Sequence, residues 1–532
     1  MAPDRDRRRL LVAAGGLALG AGVGRAGRAL AAARPAAGDY PFALGVASGD
    51  PWPDGFVIWT RLAPQPLAEH GGMPMVGVPV TWEIAGDERF ARILQAGQTL
   101  ARPELGHSVH VEVAGLQPAR PYWYRFRVAG ADVSPVGRAR TAPAAGSLPA
   151  RLRLAVAGCQ NYHHGWFEAW RHLSQEPDLD AVFHYGDYIY EGAGDKASDA
   201  KYLIRDAAGQ VVHHKHVGGE LFSLDDYRRR YAQYKSDADL QAAHASVAFV
   251  TSFDDHEVVN DYNGERDGSD TPLEVFSLRR RSAMQAWYEN SPVRAAQFPR
   301  ADGLTMYRRL DYGSLLRMHV LDTRSYRANQ ACDPAAKTCH PGAGVDSSIM
   351  GAAQESWLDA GLASDARWNL IAQQVFVMPL NGRSPEGAAL PFVDKWNGFP
   401  GARARLVQAI RKHGLTNVVI ATGDAHMNAI GTVPVRDEEP GGAAAATEFL
   451  ATSISSNGDG ALVTPAVKRF LDADNPFLAM CNDLRGYHTY DITAQQWRTD
   501  VKAMDQVQAR GGKLSRLASF HVTPDKPQLH PG

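Results

Sequence analysis

The chain has 532 residues, of which 45% are hydrophobic and 21% are charged. This length and composition predict a folded protein of about two to four domains and exclude both a small disulfide-stapled scaffold and a disordered chain. The 56 basic and 58 acidic residues give a formal net charge of −2, so no overall field attracts the protein to nucleic acid or to an anionic membrane.

Residues 1–33 are typical of an export signal. Arg7, Arg8 and Arg9 precede an apolar stretch that ends near Gly24, and small residues follow at 29–33. The apolar stretch is shorter than the ~20 residues that a bilayer span needs, so we expect a cleaved leader and no membrane anchor. The paired arginines resemble a twin-arginine signal, although Asp6 stands where Ser or Thr is usual. This resemblance implies the twin-arginine export machinery as a partner and a periplasmic or secreted protein.

Residues 40–142 predict an all-β sandwich domain. Apolar and polar residues alternate in short runs that Pro and Gly turns separate, which is the pattern of half-buried strands. The clearest runs are Gly55–Thr60, Val78–Glu83, Ser108–Val113 and Tyr122–Val128.

Residues 150–532, after a linker rich in Pro, Ala and Gly, predict an α/β domain. Short apolar strands alternate with longer helical patterns. The candidate helices are Trp166–Ser174, a stripe of Tyr227, Tyr231 and Tyr234, Leu273–Tyr288, Ala353–Leu362 and Ala402–Lys412. We expect the tyrosine stripe to pack in the core and the arginine runs at 228–230 and 279–281 to form solvated helix faces.

Four predicted strands end on residues that can bind metal or carry out catalysis. The residues that follow the strands are Gly158-Cys159-Gln160-Asn161, Gly186-Asp187-Tyr188-Ile189-Tyr190, Asp254-Asp255-His256-Glu257 and Gly423-Asp424-Ala425-His426. In layered α/β folds ligands bind beyond the carboxyl ends of the strands, so the four ends can converge on one site.

The donor types at these ends favour two kinds of metal. Carboxylates suit hard cations such as Ca²⁺, Mg²⁺ or Mn²⁺, whereas thiolate, phenolate and imidazole suit a transition metal. Each residue also has a structural explanation when taken alone: Cys159 as a buried thiol, Asp187 in a turn, Tyr190 in a core and His256 in a hydrogen-bonded turn. The four ends together favour the metal site.

These blocks, in this order, resemble the calcineurin-type metallophosphoesterase pattern in the variant of PhoD-like alkaline phosphatases. Further segments are similar to those of the family: Pro41–Pro51, Val57–Leu62, Asp226–Tyr231, Leu321–Tyr326 and Thr452–Ser456. The resemblance implies an α/β core of two packed sheets flanked by helices, an N-terminal β-sandwich and a C-terminal helical segment.

The resemblance also implies a metal set. The ferric ligands that it implies are Cys159, Asp187, Tyr190 and His426. The calcium ligands that it implies are Asp187, Asp255 and Asp424. A second calcium would take Asn161 and Asn260, which could instead only orient their loops.

The implied activity is hydrolysis of phosphate esters by water that the metals activate. Asp255 and His256 are the candidate catalytic residues, with His256 stabilising the transition state or protonating the leaving group. Two alternatives stay open: a phosphodiesterase or phospholipase D-like enzyme acting on phospholipid or teichoic-acid-type polymers, and a non-catalytic exported binding protein.

Two further features concern single residues. Relatives carry Trp-Asp-Gly-Tyr where this chain has Asn397 and Phe399 at the second and fourth positions, which puts any calcium contact there in doubt. Cys332 and Cys339 lie in a Pro/Gly-containing loop of an exported chain and predict a local disulfide, whereas Cys481 is expected to be a buried free thiol.

Overall fold

The computed structural model describes residues 40–532 except 129–131, 196–198, 268, 270, 301–302, 329–331, 334–337, 340–346, 384–388 and 461–462. The predicted leader at 1–33 lies outside the described residues, as do the side chains of Cys332 and Cys339. The backbones of these two cysteines face each other in a short antiparallel pair.

The described strands are β1 (Val46–Trp52), β2 (Gly55–Arg61), β3 (Val78–Ala85), β4 (Ile93–Ala101), β5 (Ser108–Val113), β6 (Pro121–Val128), β7 (Gly137–Arg140), β8 (Leu152–Ala157), β9 (Ala181–His184), β10 (Phe249–Thr251), β11 (Arg308–Tyr312), β12 (Leu316–Val320), β13 (Cys332–Asp333), β14 (Thr338–Cys339), β15 (Trp368–Ala372), β16 (Asn381–Arg383), β17 (Ala389–Pro391), β18 (Val418–Thr422), β19 (Asn428–Pro434), β20 (Ala444–Leu450), β21 (Leu478–Asn482), β22 (Gly486–Ile492), β23 (Trp497–Met504), β24 (Leu514–Thr523) and β25 (Lys526–Pro531). The described α-helices are α1 (Glu168–Ser174), α2 (Leu224–Lys235), α3 (Ala238–Ser246), α4 (Leu273–Asn290), α5 (Gly351–Leu362), α6 (Pro400–Lys412) and α7 (Pro465–Asp474).

Two large sheets form the body of the molecule. The first runs in the order β25–β24–β23–β22–β8–β9–β10–β1–β2–β5, and the second runs β11–β12–β15–β18–β20–β19–β21. Strands β8, β9 and β10 are parallel in the first sheet, and β12, β15, β18 and β20 are parallel in the second. Parallel strands direct their carboxyl ends to one edge, where the predicted site residues follow them.

A shared core joins the two sheets. Leu154 and Val182 of the first sheet and Leu370 and Val419 of the second are fully buried in one hydrophobic cluster. Such strands read as continuous apolar runs because they are buried on both faces. A second cluster packs α5 and α6 onto the second sheet.

The N-terminal residues form the predicted β-rich region. Strands β1, β2 and β5 pack against the sheet β4–β3–β6–β7 over a hydrophobic cluster that includes Phe56, Ile58 and Phe126. Strand β1 also pairs in parallel with β10, so this region continues into the larger sheet. The domain limits at 40–142 and 150–532 stay predictions.

The helices confirm the tyrosine prediction and correct the arginine one. Tyr227, Tyr231 and Tyr234 are at most 1% exposed in the core. The expectation of solvated arginine faces is wrong for Arg228, whose guanidinium binds both carboxylate oxygens of Glu289 at 2.6 and 2.7 Å. Arg230 and Arg279 are also buried, and Arg230 donates to the carbonyls of Tyr190 and Gly192, whereas Arg281 is exposed as expected. Local charge patterns do not reveal such distant partners.

The last described helix is α7, and the chain after it consists of β21 to β25, so the expected C-terminal helical segment stays a prediction. Cys481 in β21 is a buried free thiol, as predicted. Among the described residues, no helix combines the length and apolarity needed to cross a bilayer.

Candidate metal centre

The predicted site residues meet between the two sheets. Cys159 follows β8, Asp187 follows β9, Asp255 follows β10, and Asp424 and His426 follow β18. Potential ligand atoms of Cys159, Asp187 and His426 lie within 4.8 Å of one another, as do those of Asp254, Asp255 and Asp424. The topology therefore brings residues from four strand ends to one place.

Left-handed backbone at the strand ends aims these side chains. The φ angles are 50° at Cys159, 54° at Asp187, 69° at Asp424 and 55° at His426. Residues with a Cβ rarely adopt this conformation, which costs on the order of 1 kcal/mol each and persists where the surrounding structure enforces it. Four of the proposed ligands therefore occupy strained backbone positions.

Glycines before two of these residues make room for the ring of Tyr185. A Cβ on Gly158 would lie 2.5 Å from the ring, and one on Gly423 would lie 2.1 Å from it. The Tyr185 hydroxyl donates to the carbonyl of Thr452 at 2.6 Å. The ring thus packs beneath the turns that carry Cys159 and Asp424, and both glycines are required there.

One half of the site contains a thiol, a phenol and an imidazole around Asp187. Cys159 Sγ lies 3.3 Å from Asp187 Oδ2, and the Tyr190 hydroxyl donates to the same oxygen at 2.8 Å. The Tyr190 oxygen is also 3.0 Å from His426 Nε2. We call these four residues the thiol–phenol half.

The other half is formed by carboxylates around a buried guanidinium. Arg324 is fully buried, and its Nε donates to Asp254 Oδ1 at 2.5 Å. Its Nη2 lies 3.5 Å from Asp255 Oδ2 and 3.3 Å from Asp424 Oδ1. We call Asp254, Asp255 and Asp424 the carboxylate half.

Burial and neighbouring carboxylates raise the pKa values of the acidic groups in the thiol–phenol half. Burial raises the pKa of the Cys159 thiol well above its ordinary value, and the carboxylates of Asp187 and Asp424 raise it further. Burial and Asp187 likewise raise the pKa of the Tyr190 phenol. Burial raises the pKa of Asp187 to about 6, against the opposing effect of His256. The Cys159 thiol and the Tyr190 phenol therefore keep their protons at neutral pH unless a cation lies among them.

The donors of both halves fit metal ions. Among the described residues, Asp187 Oδ1 and Asp254 Oδ2 are buried oxygens without a hydrogen-bond partner. An unpartnered buried carboxylate oxygen is costly unless a cation or donor meets it. The thiol–phenol half offers transition-metal ligands, and the carboxylate half offers ligands for a hard cation.

His256 lies beside Asp187 and Asp255, where the two halves meet. Its Nδ1 is 2.7 Å from Glu191 Oε2, and its ring packs 4.1 Å from that of Tyr190. Burial would lower the pKa of His256, but Glu191, Asp187 and Asp255 raise it well above its ordinary value. These carboxylates favour the protonated imidazole, and Glu191 fixes its orientation.

The two asparagines predicted for a second calcium make other contacts. Asn161 Oδ1 accepts from the backbone N–H of His163 at 2.9 Å, and Asn260 is exposed, with its backbone N–H donating to Glu191 at 3.1 Å. Their role as ligands stays a prediction. The structure places Asp261 and Asp394 near Asp255, with candidate ligand atoms within 4.8 Å of one another.

Comparison with known proteins decides the family. The model described as "PhoD-like phosphatase" matches residues 154–501, and "PhoD-like phosphatase, N-terminal domain" matches residues 28–143. The chain belongs to the PhoD-like phosphatase family. Alkaline phosphatase D of Bacillus subtilis (strain 168) is 41% identical over 535 residues, which cover 98% of this chain and 88% of that protein.

A solved structure described as "Structure of PhoD" matches this PhoD-like phosphatase with a TM-score of 0.85 and 40% identity, covering 94% of this chain and 93% of the other. The expected α/β fold is confirmed. Membership makes the chain a hydrolase of phosphoric esters, and the alternative of a non-catalytic binding protein is set aside.

The departure at Asn397 and Phe399 lies in the packing around α6 of this phosphatase. Asn397 Nδ2 donates to the carbonyl of Leu380 at 2.6 Å, and Asn397 Oδ1 accepts from Arg403 at 2.6 Å. Phe399 is fully buried next to the first turn of α6. These contacts give Asn397 a structural role.

Sequence reasoning missed several residues that shape the site. Two of them had a signal in the sequence: Asp254 is adjacent to Asp255 in an acidic run, and Arg324 lies within the segment Leu321–Tyr326 that is similar to the family. Lys395 contacts both Asp394 and Asp424, although it had no signal in the sequence. Glu257 accepts backbone N–H groups of Asp187, Tyr188 and Asp254 at 2.6 to 3.0 Å, thereby tying two strand ends together.

Proposed function

We propose that this PhoD-like phosphatase hydrolyses phosphate esters at a mixed iron and calcium site. The observation that carries the proposal is the division of the donors around Asp187. A thiol, a phenol and an imidazole lie on one side of this residue and carboxylates on the other. Protein sites built from such different donors select metals of different character.

In this proposal Cys159, Asp187, Tyr190 and His426 hold Fe³⁺. Asp187 also reaches Ca²⁺, which Asp255 and Asp424 complete, and the unpartnered Oδ2 of Asp254 supports its inclusion in that set. A second Ca²⁺ would take Asn161 and Asn260 as its predicted ligands. When bound, such ions stabilise the phosphoryl oxygens and make water a better nucleophile.

His256 is the proposed acid. Because Glu191 occupies Nδ1 at 2.7 Å, Nε2 remains as the nitrogen that can donate to the leaving-group oxygen. Asp255 helps to position His256, because its Oδ1 accepts the backbone N–H of His256 at 3.0 Å.

The test combines elemental analysis of the purified protein with hydrolysis of p-nitrophenyl phosphate and bis(p-nitrophenyl) phosphate, with and without a calcium chelator. We expect iron and calcium, hydrolysis of the monoester, and loss of activity that added calcium restores. Faster cleavage of the diester would support the phosphodiesterase alternative. Activity that the chelator does not change would exclude calcium from the proposed mechanism. An active protein that is colourless and free of iron would exclude iron from it.

We also propose that residues 1–33 direct twin-arginine export to the periplasm or the exterior. The proposal rests on Arg7 and Arg8 before the apolar stretch. Replacing both with lysine should retain the protein in the cytoplasm, as measured by cell fractionation. Export of this variant as efficient as that of the wild type would contradict the proposal.

A further inference from the structure

A hydroxyl outside the proposed ligand set contacts two of the proposed iron ligands. Ser456 Oγ lies 2.7 Å from the Tyr190 oxygen and 2.8 Å from the carbonyl oxygen of Cys159. It also accepts the backbone N–H of Asn161 at 3.0 Å. Ser456 is fully buried, so no water replaces these contacts easily.

The loop that carries Ser456 is held firmly against the site. The backbone N–H of Ile454 donates to the carbonyl of Gly158 at 3.0 Å, and that of Ser456 donates to Cys159 at 3.3 Å. The guanidinium of Arg485 binds both the Ser456 carbonyl and the Ser453 hydroxyl. The Ser456 hydroxyl therefore stays near Tyr190.

The hydroxyl has one proton and two oxygens that could accept it. A phenolate oxygen carries negative charge and is a stronger acceptor than an amide carbonyl. Once Tyr190 is ionised, the proton of Ser456 is directed to the phenolate, and the carbonyl of Cys159 keeps the backbone N–H of Ser456.

We infer that Ser456 is a positioning residue that donates a hydrogen bond to the Tyr190 phenolate and thereby tunes the ferric centre. This inference rests on the proposed function, because it requires a phenolate bound to iron. Outer groups that hydrogen-bond to a ligand alter its donor strength and the properties of the metal.

The neighbouring serine provides a matched control. Ser455 is also fully buried, but its hydroxyl donates to the carbonyl of Asn161 at 2.9 Å. Ser455→Ala removes the same atom from the same loop and leaves the contact with Tyr190 in place.

The experiment compares visible spectra of full-length wild type, Ser456→Ala, Ser456→Thr and Ser455→Ala, each purified with its metal. Losing the hydrogen bond raises the energy of the phenolate electrons, so the phenolate-to-iron band of Ser456→Ala should shift to longer wavelength. Ser456→Thr should restore the band, and Ser455→Ala should leave it in place. A band that Ser456→Ala does not move overturns the inference alone; wild type without iron overturns the proposed cofactor as well.

A second measurement tests the inference on the wild type and does not require Ser456→Ala to fold. Resonance Raman spectra of the wild type in H₂O and D₂O report on a proton bonded to the phenolate oxygen. We expect the phenolate C–O stretch to shift on exchange in the wild type and equally in Ser455→Ala. An unchanged stretch in the wild type would overturn the inference.

Discussion

The two halves of the site differ in how their charge is balanced. In the carboxylate half the buried Arg324 contacts Asp254, Asp255 and Asp424 at 2.5 to 3.5 Å. In the thiol–phenol half the pKa values of Cys159 and Tyr190 are raised by burial and by neighbouring carboxylates. One half therefore has a guanidinium among its carboxylates, whereas in the other the thiol and the phenol lose their protons only beside a cation, which the proposed Fe³⁺ would provide.

Asp187 belongs to both halves, and its removal should have the largest effect. Asp187→Asn takes away the carboxylate shared by the two proposed metals. We expect kcat/KM to fall by on the order of 10³-fold or more, beyond the 10–100-fold typical of outer-shell changes. The surface variant Asp311→Asn, at a side chain that is 47% exposed, serves as the control. Near-normal activity of Asp187→Asn would contradict the assignment of this carboxylate to both proposed metals.

Cys159→Ser and Asp424→Asn should separate the halves. Each variant removes a donor from one proposed site, so Cys159→Ser should lose iron and keep calcium, while Asp424→Asn should do the reverse. We expect activity to fall by about 10²-fold in each case, since each of the two proposed metals would contribute to stabilising the phosphoryl group. Metal analysis of the purified variants checks this. Equal loss of both metals in both variants would show that the halves are not distinct.

Arg324→Met tests the built-in charge of the carboxylate half. Removing a buried cation leaves several carboxylates close together without compensation, which costs about 3–5 kcal/mol when a buried pair is broken. Urea unfolding should show a loss of this size. Arg436→Met, at a side chain that is 68% exposed, should change stability by less than about 0.5 kcal/mol. A loss no larger for Arg324→Met than for the control would contradict the role assigned to the guanidinium.

The smallest predicted effect concerns Glu448, a buried residue of β20 that is hydrogen-bonded to Thr422 of β18. Its carboxylate accepts the backbone N–H groups of Val377 and Met378 and the hydroxyl of Thr422 at 2.7 to 2.9 Å. Burial raises the pKa of Glu448 from 4.5 to about 7. The folded state therefore holds the proton more tightly than the unfolded state, and stability falls as pH rises from 4.5 to 7.

Glu448→Gln should flatten this part of the pH profile by about 1–3 kcal/mol. Urea unfolding at a series of pH values measures the slope. An unchanged slope would mean that another group titrates in this window.

The strand ends that carry the proposed ligands could be predicted because their signals in the sequence are local. Apolar runs end on Gly158-Cys159, Gly186-Asp187 and Gly423-Asp424, and the structure places all three at the edge between the sheets. Glycine before each polar residue marks a chain that must turn sharply and approach its neighbours closely. These positions could be predicted without knowing which strands pair.

The partners of those residues could not be predicted from local patterns. Arg324 meets Asp254 across 70 positions of sequence, and Arg228 meets Glu289 across 61. Asp254 and Asp255 are adjacent in the sequence, and the conformation of the turn after β10 determines where each carboxylate points. No periodic pattern in the sequence predicts the conformation of that turn. For the same reason the arginine runs were interpreted as solvated.

The central claim is that the two halves hold different metals, and anomalous diffraction tests it most directly. Crystals of the purified protein would be measured on both sides of the iron absorption edge. We predict a peak of iron signal bounded by Cys159 Sγ, the Tyr190 oxygen and His426 Nε2, with no such peak at Asp255 and Asp424. Iron at the carboxylate half, or no metal beside Cys159, would contradict the account.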